Sequence, residues 1–500
     1  MSVRRAARSV HGAPGHLLVA CGLLLLTTPR PEASAHPALS EALRARRPAG
    51  GEWFGVYLVD KKVGWFFTDL TLVVGKPTQA RSVQELVFKA VAGQAAVERD
   101  HREERIYESR PGGRLLSFRF EDKGDGGTQT LIGKASATGI EVLRRRPGHA
   151  DETLNLPPSA ETVEDADQVR VSLLRNAPVS GMVLDGFDLQ SVKVTTTPGG
   201  TEKRAVSGVK VTLHRATTLS EKDKVPALSV VTDSGEILET SFGGNTAFRA
   251  EAKSVAQRLD RVEIFGLSRL VLPRPLPPGA RDVPGQLTLV VEGLGPEFRR
   301  VTPRQSYRQL DGDKVEVRIR AAAPEASELG TRPLQAPGGA DYLKATLAVE
   351  SEAPEIVAKA REIAGAETDA YAAARKVVAW VGTHMKKEYG ASADRATDVL
   401  RQMTGDCTEH SLLSVALLRA LGIPARRVDG VVYVQTGDGV PALYWHEWVE
   451  AFVGKSWTQL DPTFGQPVAD ATHLTLGEES QADIVPLLGK LKVVDVVPAG

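Results

Sequence analysis

From Trp53 onward, apolar residues recur in short alternating runs, which is the period of a pleated strand rather than of a helix. Trp53 to Val59 and Val63 to Phe67 flank Asp60-Lys61-Lys62 and read as a hairpin. Further strands are expected at Leu115 to Phe120, Thr130 to Val142, Leu189 to Thr196, Val209 to His214 and Leu228 to Thr232. Asp233-Ser234-Gly235 then turns into a strand from Ile237 to Phe242. One helix is expected around Val163 to Arg175. Short β runs separated by glycine turns predict an antiparallel sheet or sandwich. The stretch Leu272 to Gly279 is proline-rich, stiff and extended, and marks a boundary. Beyond it, Gln286 to Glu292 and Lys314 to Arg320 alternate like strands of a small second β unit.

Near Pro354 the period becomes helical. Thr368 is expected to cap a helix running to about Lys387, with Tyr371, Val378, Val381 and Met385 on one face. A shorter helix follows at Ala396 to Met403. Gly405-Asp406-Cys407 then leads into an apolar helix through Leu413, Leu417 and Leu421. Gly422 suits the position just past its end, and Pro424 prevents resumption. Strands are expected at Arg427 to Val434, Tyr444 to Val453 and Ser456 to Leu460.

Five hundred residues imply two to four domains, and 42% hydrophobic with 25% charged residues is enough apolar material for sizeable cores. Lys+Arg and Asp+Glu are both 62, so the charge balance does not favour nucleic acid or an anionic membrane as partner. Arg4, Arg5 and Arg8 precede an apolar stretch from Leu17 to Leu26, and Ala33-Ser34-Ala35 follows. This is the layout of an export signal, too short to span a bilayer. Leu18-Val19-Ala20-Cys21 also resembles a lipoprotein processing box. Most of the leucines come after Cys21, however, so cleavage near Ala35 and a periplasmic or extracellular destination are favoured over lipid anchoring at Cys21. Once the signal is gone, Cys407 is alone, which in an oxidising compartment means a buried bystander or a reactive thiol.

The chain is therefore read as multidomain α+β. The expected divisions are 1–35 signal peptide, 36–50 linker, 51–270 β-rich domain of unknown role, 271–353 proline-rich linker and small β unit, 354–475 catalytic domain and 476–500 C-terminal extension.

Three residues carry candidate chemistry. Cys407 directly precedes an apolar helix, where the positive end of the helix dipole is expected to stabilise a thiolate and lower the thiol pKa. Its backbone N–H is a natural oxyanion donor, with Gln402 a weaker second candidate. If Gly454-Lys455 is a two-residue turn, His446 stands opposite Thr463 and Trp448 opposite Asp461, all on one sheet face. His446 and Asp461 become diagonal neighbours with Cβ atoms roughly 7–8 Å apart, within hydrogen-bonding reach of their side chains. Asp461 then orients the imidazole, and His446 takes the Cys407 proton. The plainer readings are an inert core cysteine, a structural histidine and a turn aspartate before Pro462. The three occurring together in this setting favours catalysis. His410 is expected to pack or hydrogen-bond rather than titrate, Arg426 to tether a strand end, and Trp380, Trp445, Trp448 and Trp457 to be mainly core.

Four blocks, Gly405-Asp406-Cys407-Thr408-Glu409-His410, Arg419 to Arg426, Trp445 to Glu450 and Trp457 to Thr463, resemble the transglutaminase-like superfamily in content and order. The resemblance covers about residues 354–470. It implies a papain-like C-terminal domain, with a cysteine-bearing helix packed on an antiparallel sheet that supplies His and Asp. It also implies acyl transfer through a thioester to water or an amine, and fixes that mechanism better than the substrate, which is expected to be a protein, peptide or cell-envelope component. Some members of the superfamily lack activity, so the alternative is a catalytically silent envelope scaffold. His446-Glu447-Trp448-Val449-Glu450 echoes the zinc motif H-E-x-x-H. It fails because position 450 is Glu and the segment alternates like a strand. No Walker loop or dinucleotide fingerprint is present, so neither cofactor nor metal is expected. Membrane contact is expected only if the N-terminus is retained or lipidated.

Overall fold

The computed structural model describes residues 38–498 apart from 93–94, 125–126, 207–208, 244, 336–339, 390–392 and 479–480. The expected export signal and Cys21 lie outside the described residues. Alternating side chains and tight turns build the first half. β1 (Glu52–Leu58), β2 (Lys61–Val73), β3 (Lys76–Ala92), β4 (Ala95–Glu108), β5 (Leu115–Gly124), β6 (Gly127–Ala135), β7 (Ile140–Arg145) and β8 (Glu152–Leu156) pair in sequence as antiparallel neighbours. β9 (Val179–Leu184), β10 (Ser191–Val206), β11 (Val209–Ser220), β12 (Ala227–Thr232), β13 (Ile237–Ser241) and β14 (Thr246–Ala250) do the same. β14 then pairs with β1, joining both runs into one 14-stranded sheet.

The β1–β2 hairpin turns on Val59 and Asp60, both at positive φ (49° and 59°), which matches the right-handed twist of the strands. The turn is therefore shorter than the expected Asp60-Lys61-Lys62. The expected strand from Thr130 to Val142 is two strands, β6 and β7, folded at Ser136 to Gly139. β3 and β4 escaped the sequence reading because charge interrupts their alternation. In the sheet those charges become cross-strand pairs, Arg81 with Glu104 at 2.6 Å and Arg102 with Glu85 at 2.9 Å.

α1 (Glu41–Arg44) lies in the stretch expected to be a linker. Ser40 caps it, Ala42 is fully buried, and Arg47 reaches Asp167 at 3.0 Å, so this stretch is tied to the sheet. The expected helix at Val163 to Arg175 is α2 (Gln168–Arg175), preceded by a short 3₁₀ turn and capped by Asp167. Arg170 of α2 grips both oxygens of Glu52 on β1 at 2.7 Å, while Val171 shares a core with Leu70, Phe118, Phe120 and Leu131. α2 also packs on β9, β10 and β11. Strands from both ends of the sheet thus meet one helix, which requires the sheet to curl around it. α3 (Lys253–Ala256) and α4 (Ile264–Leu267) are single turns leading to β15 (Leu270–Val271).

Three strands follow the proline-rich stretch: β16 (Gly285–Glu292), β17 (Gln305–Gln309) and β18 (Lys314–Ala321). The helical segment comprises α5 (Pro354–Ala364), α6 (Ala370–His384), α7 (Ala396–Gln402) and α8 (Cys407–Ala420). α6 is capped by Asp369, whose carboxylate accepts from Ala372 N–H at 2.6 Å, rather than by Thr368. It stops at His384 because β19 (Lys386–Lys387) pairs with β20 (Thr404–Gly405). α8 is buried through its middle and ends as expected. Gly422 sits at φ 72°, the Ile423 N–H reaches the Leu418 carbonyl, and the Gly422 N–H reaches Arg419.

β21 (Ala425–Val434), β22 (Ala442–Phe452), β23 (Trp457–Leu460) and β24 (Leu474–Glu478) complete the sheet beneath α8, in the order β15-β22-β21-β24 with β23 also on β22. β25 (Lys492–Val497) returns to pair with β16, so the small sheet is β17-β18-β16-β25. The first sheet is docked on the helical segment through Glu350, which binds Arg144 at 3.1 Å and Arg146 at 2.9 Å, and through His149 with Asp398 at 2.7 Å. Among the described residues, no helix is long and apolar enough to cross a membrane, which says nothing about spanning by strands.

Candidate functional site

The N-terminus of α8 is built by a capping box. The Asp406 carboxylate accepts from Thr408 N–H at 2.9 Å, and the Glu409 carboxylate accepts from Asp406 N–H at 2.9 Å. Cys407 is the first helical residue, half-buried, and its N–H is not one the box uses. Ser411 Oγ donates to the Glu447 carbonyl at 3.2 Å, pinning α8 to β22, and the thiol takes a backbone hydrogen bond from Glu447. The thiol thus sits against the residue that follows His446.

The helix dipole does not set the thiol pKa alone. Burial pushes it well above the ordinary cysteine value, and the charges of Asp406, Glu447 and Glu409 add to that push. The expected lowering is overturned, because desolvation and three nearby carboxylates outweigh the first turn's N–H groups. Glu409 is itself pushed up to about 8, by burial and then by Asp406.

His446 lies on β22 opposite Gly430 of β21. A Cβ at 430 would meet the Leu474 carbonyl at 2.0 Å and the Trp448 ring at 2.9 Å, so a glycine lets β24 and the indole close on this point. The imidazole stacks on Trp448 at 5.9 Å and on Phe464 at 5.0 Å. The β22–β23 hairpin has the expected register, with Val449 opposite Leu460 and Phe452 opposite Trp457 around Gly454-Lys455. Pairing ends at Leu460, so the expected pairs of Trp448 with Asp461 and His446 with Thr463 do not form. Asp461 then opens a tight loop closed by mutual backbone hydrogen bonds with Gln466.

The Asp461 carboxylate is fully buried and accepts four hydrogen bonds. Oδ1 takes the N–H groups of Thr463 (2.8 Å) and Phe464 (3.0 Å), and Oδ2 takes His446 Nε2 (2.8 Å) and His473 Nε2 (3.0 Å). Burial alone would raise its pKa. The two imidazoles more than offset that and hold it well below the usual carboxylate range. With Nε2 donating to Asp461, the lone pair of a neutral His446 is on Nδ1.

His473 was not read from the sequence as a site residue. It follows the last recognisable block, and only the tertiary fold sets it beside Asp461. The nearest signal was its spacing of three from Asp470, whose Oδ1 lies 3.2 Å from His473 Nδ1.

The other expected residues fall as follows. His410 is fully buried and neutral by preference, because burial lowers its pKa, and its Nδ1 lies 2.6 Å from the Asp406 carbonyl. Arg426 tethers β21, binding Glu450 at 2.8 Å and Tyr342 Oη at 2.9 Å and lying over Trp457. Trp448 is fully buried and donates to Gln459 at 3.2 Å, and Trp445 donates to the Ser268 carbonyl at 2.8 Å. Trp380 stacks on His384. Gln402 lines a pocket with Arg99, Asp122 and Arg401 whose wall does not include Cys407. The rim of the thiol site holds exposed Tyr389 and Phe464, with Lys387 over the Phe464 ring. His446, Asp461 and His473 present ligand-type atoms within 4.8 Å of one another. Two N–H donations onto one oxygen account for that approach.

Residues 357–462 match the family model of the transglutaminase-like superfamily, so the C-terminal region carries a transglutaminase-like domain. Over 97 residues the chain is 30% identical to an uncharacterized protein of Mycobacterium leprae (strain TN), covering 18% of this chain and 34% of that protein. The chain thus spans about a third of the length of this curated relative. Among solved structures, the periplasmic domain of TgpA from Pseudomonas aeruginosa is 18% identical, with a TM-score of 0.25 over 40% of this chain and 89% of that one. A β-barrel-like protein of a domain of unknown function from Brucella abortus is 12% identical, with a TM-score of 0.29 over 40% and 94%.

Proposed function

We propose that the chain is an exported thiol enzyme that cleaves or transfers an amide of a protein, peptide or cell-envelope substrate through a Cys407 thioester, using a papain-like site. The observation that carries this reading is a pair of contacts at one point of β22: the thiol takes a hydrogen bond from the backbone of Glu447, the residue after His446, and His446 Nε2 lies 2.8 Å from Asp461.

Because burial and then the neighbouring carboxylates hold the proton on sulfur, that proton leaves as the bond to substrate forms. Nδ1 of His446 takes the thiol proton as sulfur attacks the carbonyl, and the Cys407 N–H faces the developing oxyanion. The imidazolium, stabilised by Asp461, then protonates the leaving amine. Water or a second amine attacks the thioester and frees the enzyme.

Mass spectrometry of the purified protein incubated with envelope extract and a labelled primary amine tests this. An acyl adduct on Cys407, with label entering substrate or hydrolysed product accumulating, is the expected result. The same products from Cys407→Ala protein would overturn it.

A further inference from the structure

His473 is fully buried, and both of its ring nitrogens face carboxylates. Nε2 is 3.0 Å from Asp461 Oδ2, and Nδ1 is 3.2 Å from Asp470 Oδ1 and 3.1 Å from the Asp470 carbonyl. A neutral imidazole has one N–H and one lone pair. A lone pair aimed at a buried carboxylate is repulsive, so two such acceptors call for two N–H groups. Asp470 is a fixed anchor. Its Oδ1 accepts from Thr472 N–H at 2.9 Å and Thr472 Oγ1 at 2.6 Å, and its Oδ2 from Gln466 Nε2 at 3.0 Å. Arg304 holds the neighbouring carbonyls of Ala469 and Asp470.

We propose that His473 is a positioning residue of the thiol site, a cation held between Asp461 and Asp470 that fixes Asp461 on His446 and weakens His446 as a base at rest. Its purpose rests on the thiol-enzyme reading above; its geometry does not. One oxygen, Asp461 Oδ2, serves both imidazoles, so whatever charge His473 carries reaches His446 through a shared atom and across 6.1 Å between ring centres. A bare Asp461 would make His446 a stronger base and favour a standing imidazolium. With His473 charged, Asp461 Oδ2 is shared with a second cation, and the like charge across the pair opposes proton uptake by His446.

Burial works against a charged His473, but its hydrogen bonds to the two carboxylates more than offset that and raise its pKa. The same contacts hold Asp470 below the usual carboxylate range. The other charged or titratable groups facing this trio are His410 on α8, Lys387 over Phe464, Arg304 and Arg281 at Asp470, and Cys407 beyond His446.

The test is a histidine-selective ¹⁵N NMR titration of the full chain carrying Cys407→Ala, which removes the thiol from the titration. The two rings are told apart by a His446→Gln control, in which the His446 resonances vanish and those of His473, still in contact with the Trp448 indole at 5.0 Å, remain. The expected result is a His473 ring protonated on both nitrogens through neutral pH, and a His446 midpoint that rises by about one to two pH units on His473→Gln, as loss of a unit charge about 6 Å away predicts. A neutral His473 ring at pH 7 overturns the proposal. So does an unmoved His446 midpoint in a His473→Gln protein of unchanged Tm. If His473→Gln does not fold, the protonation state of the native ring decides alone. Neither readout needs turnover, so a failed adduct experiment on Cys407 would sink the thiol reading without touching this result.

Discussion

Asp461 stands one residue beyond the last pair of the β22–β23 hairpin, Val449 with Leu460, and its carboxylate reaches back to His446 Nε2 at 2.8 Å. Ending the ladder there frees the backbone to turn at Pro462, so the Thr463 and Phe464 N–H groups can fold over Oδ1 while Oδ2 faces the imidazoles. The orientation of the carboxylate is therefore held by backbone as well as by His446.

Cys407→Ala, His446→Ala and Asp461→Asn should differ in severity in that order. Loss of the sulfur removes the bond-forming atom and should abolish turnover. Loss of His446 removes both proton transfers and should be nearly as severe. Asp461→Asn keeps the shape but turns an acceptor of four hydrogen bonds into a mixed group, and should cost about 10²- to 10⁴-fold in rate. Steady-state rates of the three variants, each with a Tm to establish folding, give the order. Asp461→Asn at wild-type rate would remove its role.

Alkylation of Cys407 by iodoacetamide should show an inflection above the free-cysteine value of about 8.5, because burial and then Asp406 and Glu447 hold the proton on sulfur. An inflection well below it would mean that a standing ion pair with His446 outweighs the burial.

Glu409 should make stability fall as pH rises through neutrality. Its folded carboxyl keeps a proton up to about 8, while the unfolded one releases it near 4.5. The folded state therefore binds more protons across that window, and its advantage is full below 4.5 and gone above 8. Asp461 and Asp470 act oppositely, being held below 3.8 when folded, so their contribution is lost only in acid. Glu409→Gln retains an acceptor for the Asp406 N–H and should flatten the decline of Tm between pH 5 and 8. An identical decline in the variant would refute this.

Glu350→Ala should loosen the docking of the first sheet on the helical segment. Glu350 accepts from Arg144, from Arg146 and from Thr397 Oγ1 at 2.6 Å, and Arg144 is only 3% exposed. Truncation takes one of two carboxylates from the buried Arg144, which keeps Glu152 at 3.2 Å, at a cost of about 1–3 kcal/mol. Denaturant unfolding should show that loss, and limited proteolysis should become faster at the segments between the two regions.

Gly382→Ala should destabilise even though alanine is the better helix former by about 1 kcal/mol. A Cβ on α6 at this point would meet the Pro462 carbonyl at 2.7 Å and Gly465 at 3.3 Å, pushing on the loop that carries Asp461. Both Tm and turnover should drop. A Tm raised by the helix preference, with turnover intact, would show that the loop yields freely.

The amino-acid sequence determined the local elements with strong punctuation. α8, with Asp406 before it and Gly422 after it, is set by a capping box and a left-handed stop, both short-range. The β22–β23 register follows from a two-residue turn and is readable from the sequence, but the ladder ends at Leu460, so the loop after it, not strand pairing, sets the Asp461 carboxylate on His446. Where charges interrupt the alternation, as along β3 and β4, the pattern failed because partners tens of residues away neutralise them.

Tertiary structure decided the rest. The Cys407 pKa direction is a sum over burial and three carboxylates, one of them on another strand, and no spacing along the chain reports that sum. His473 became part of the site only when the loop after Asp461 folded back, and β25 found β16 across some two hundred residues. Local preferences act over a few residues, whereas desolvation and charge pairing depend on what the whole fold brings within a few ångströms.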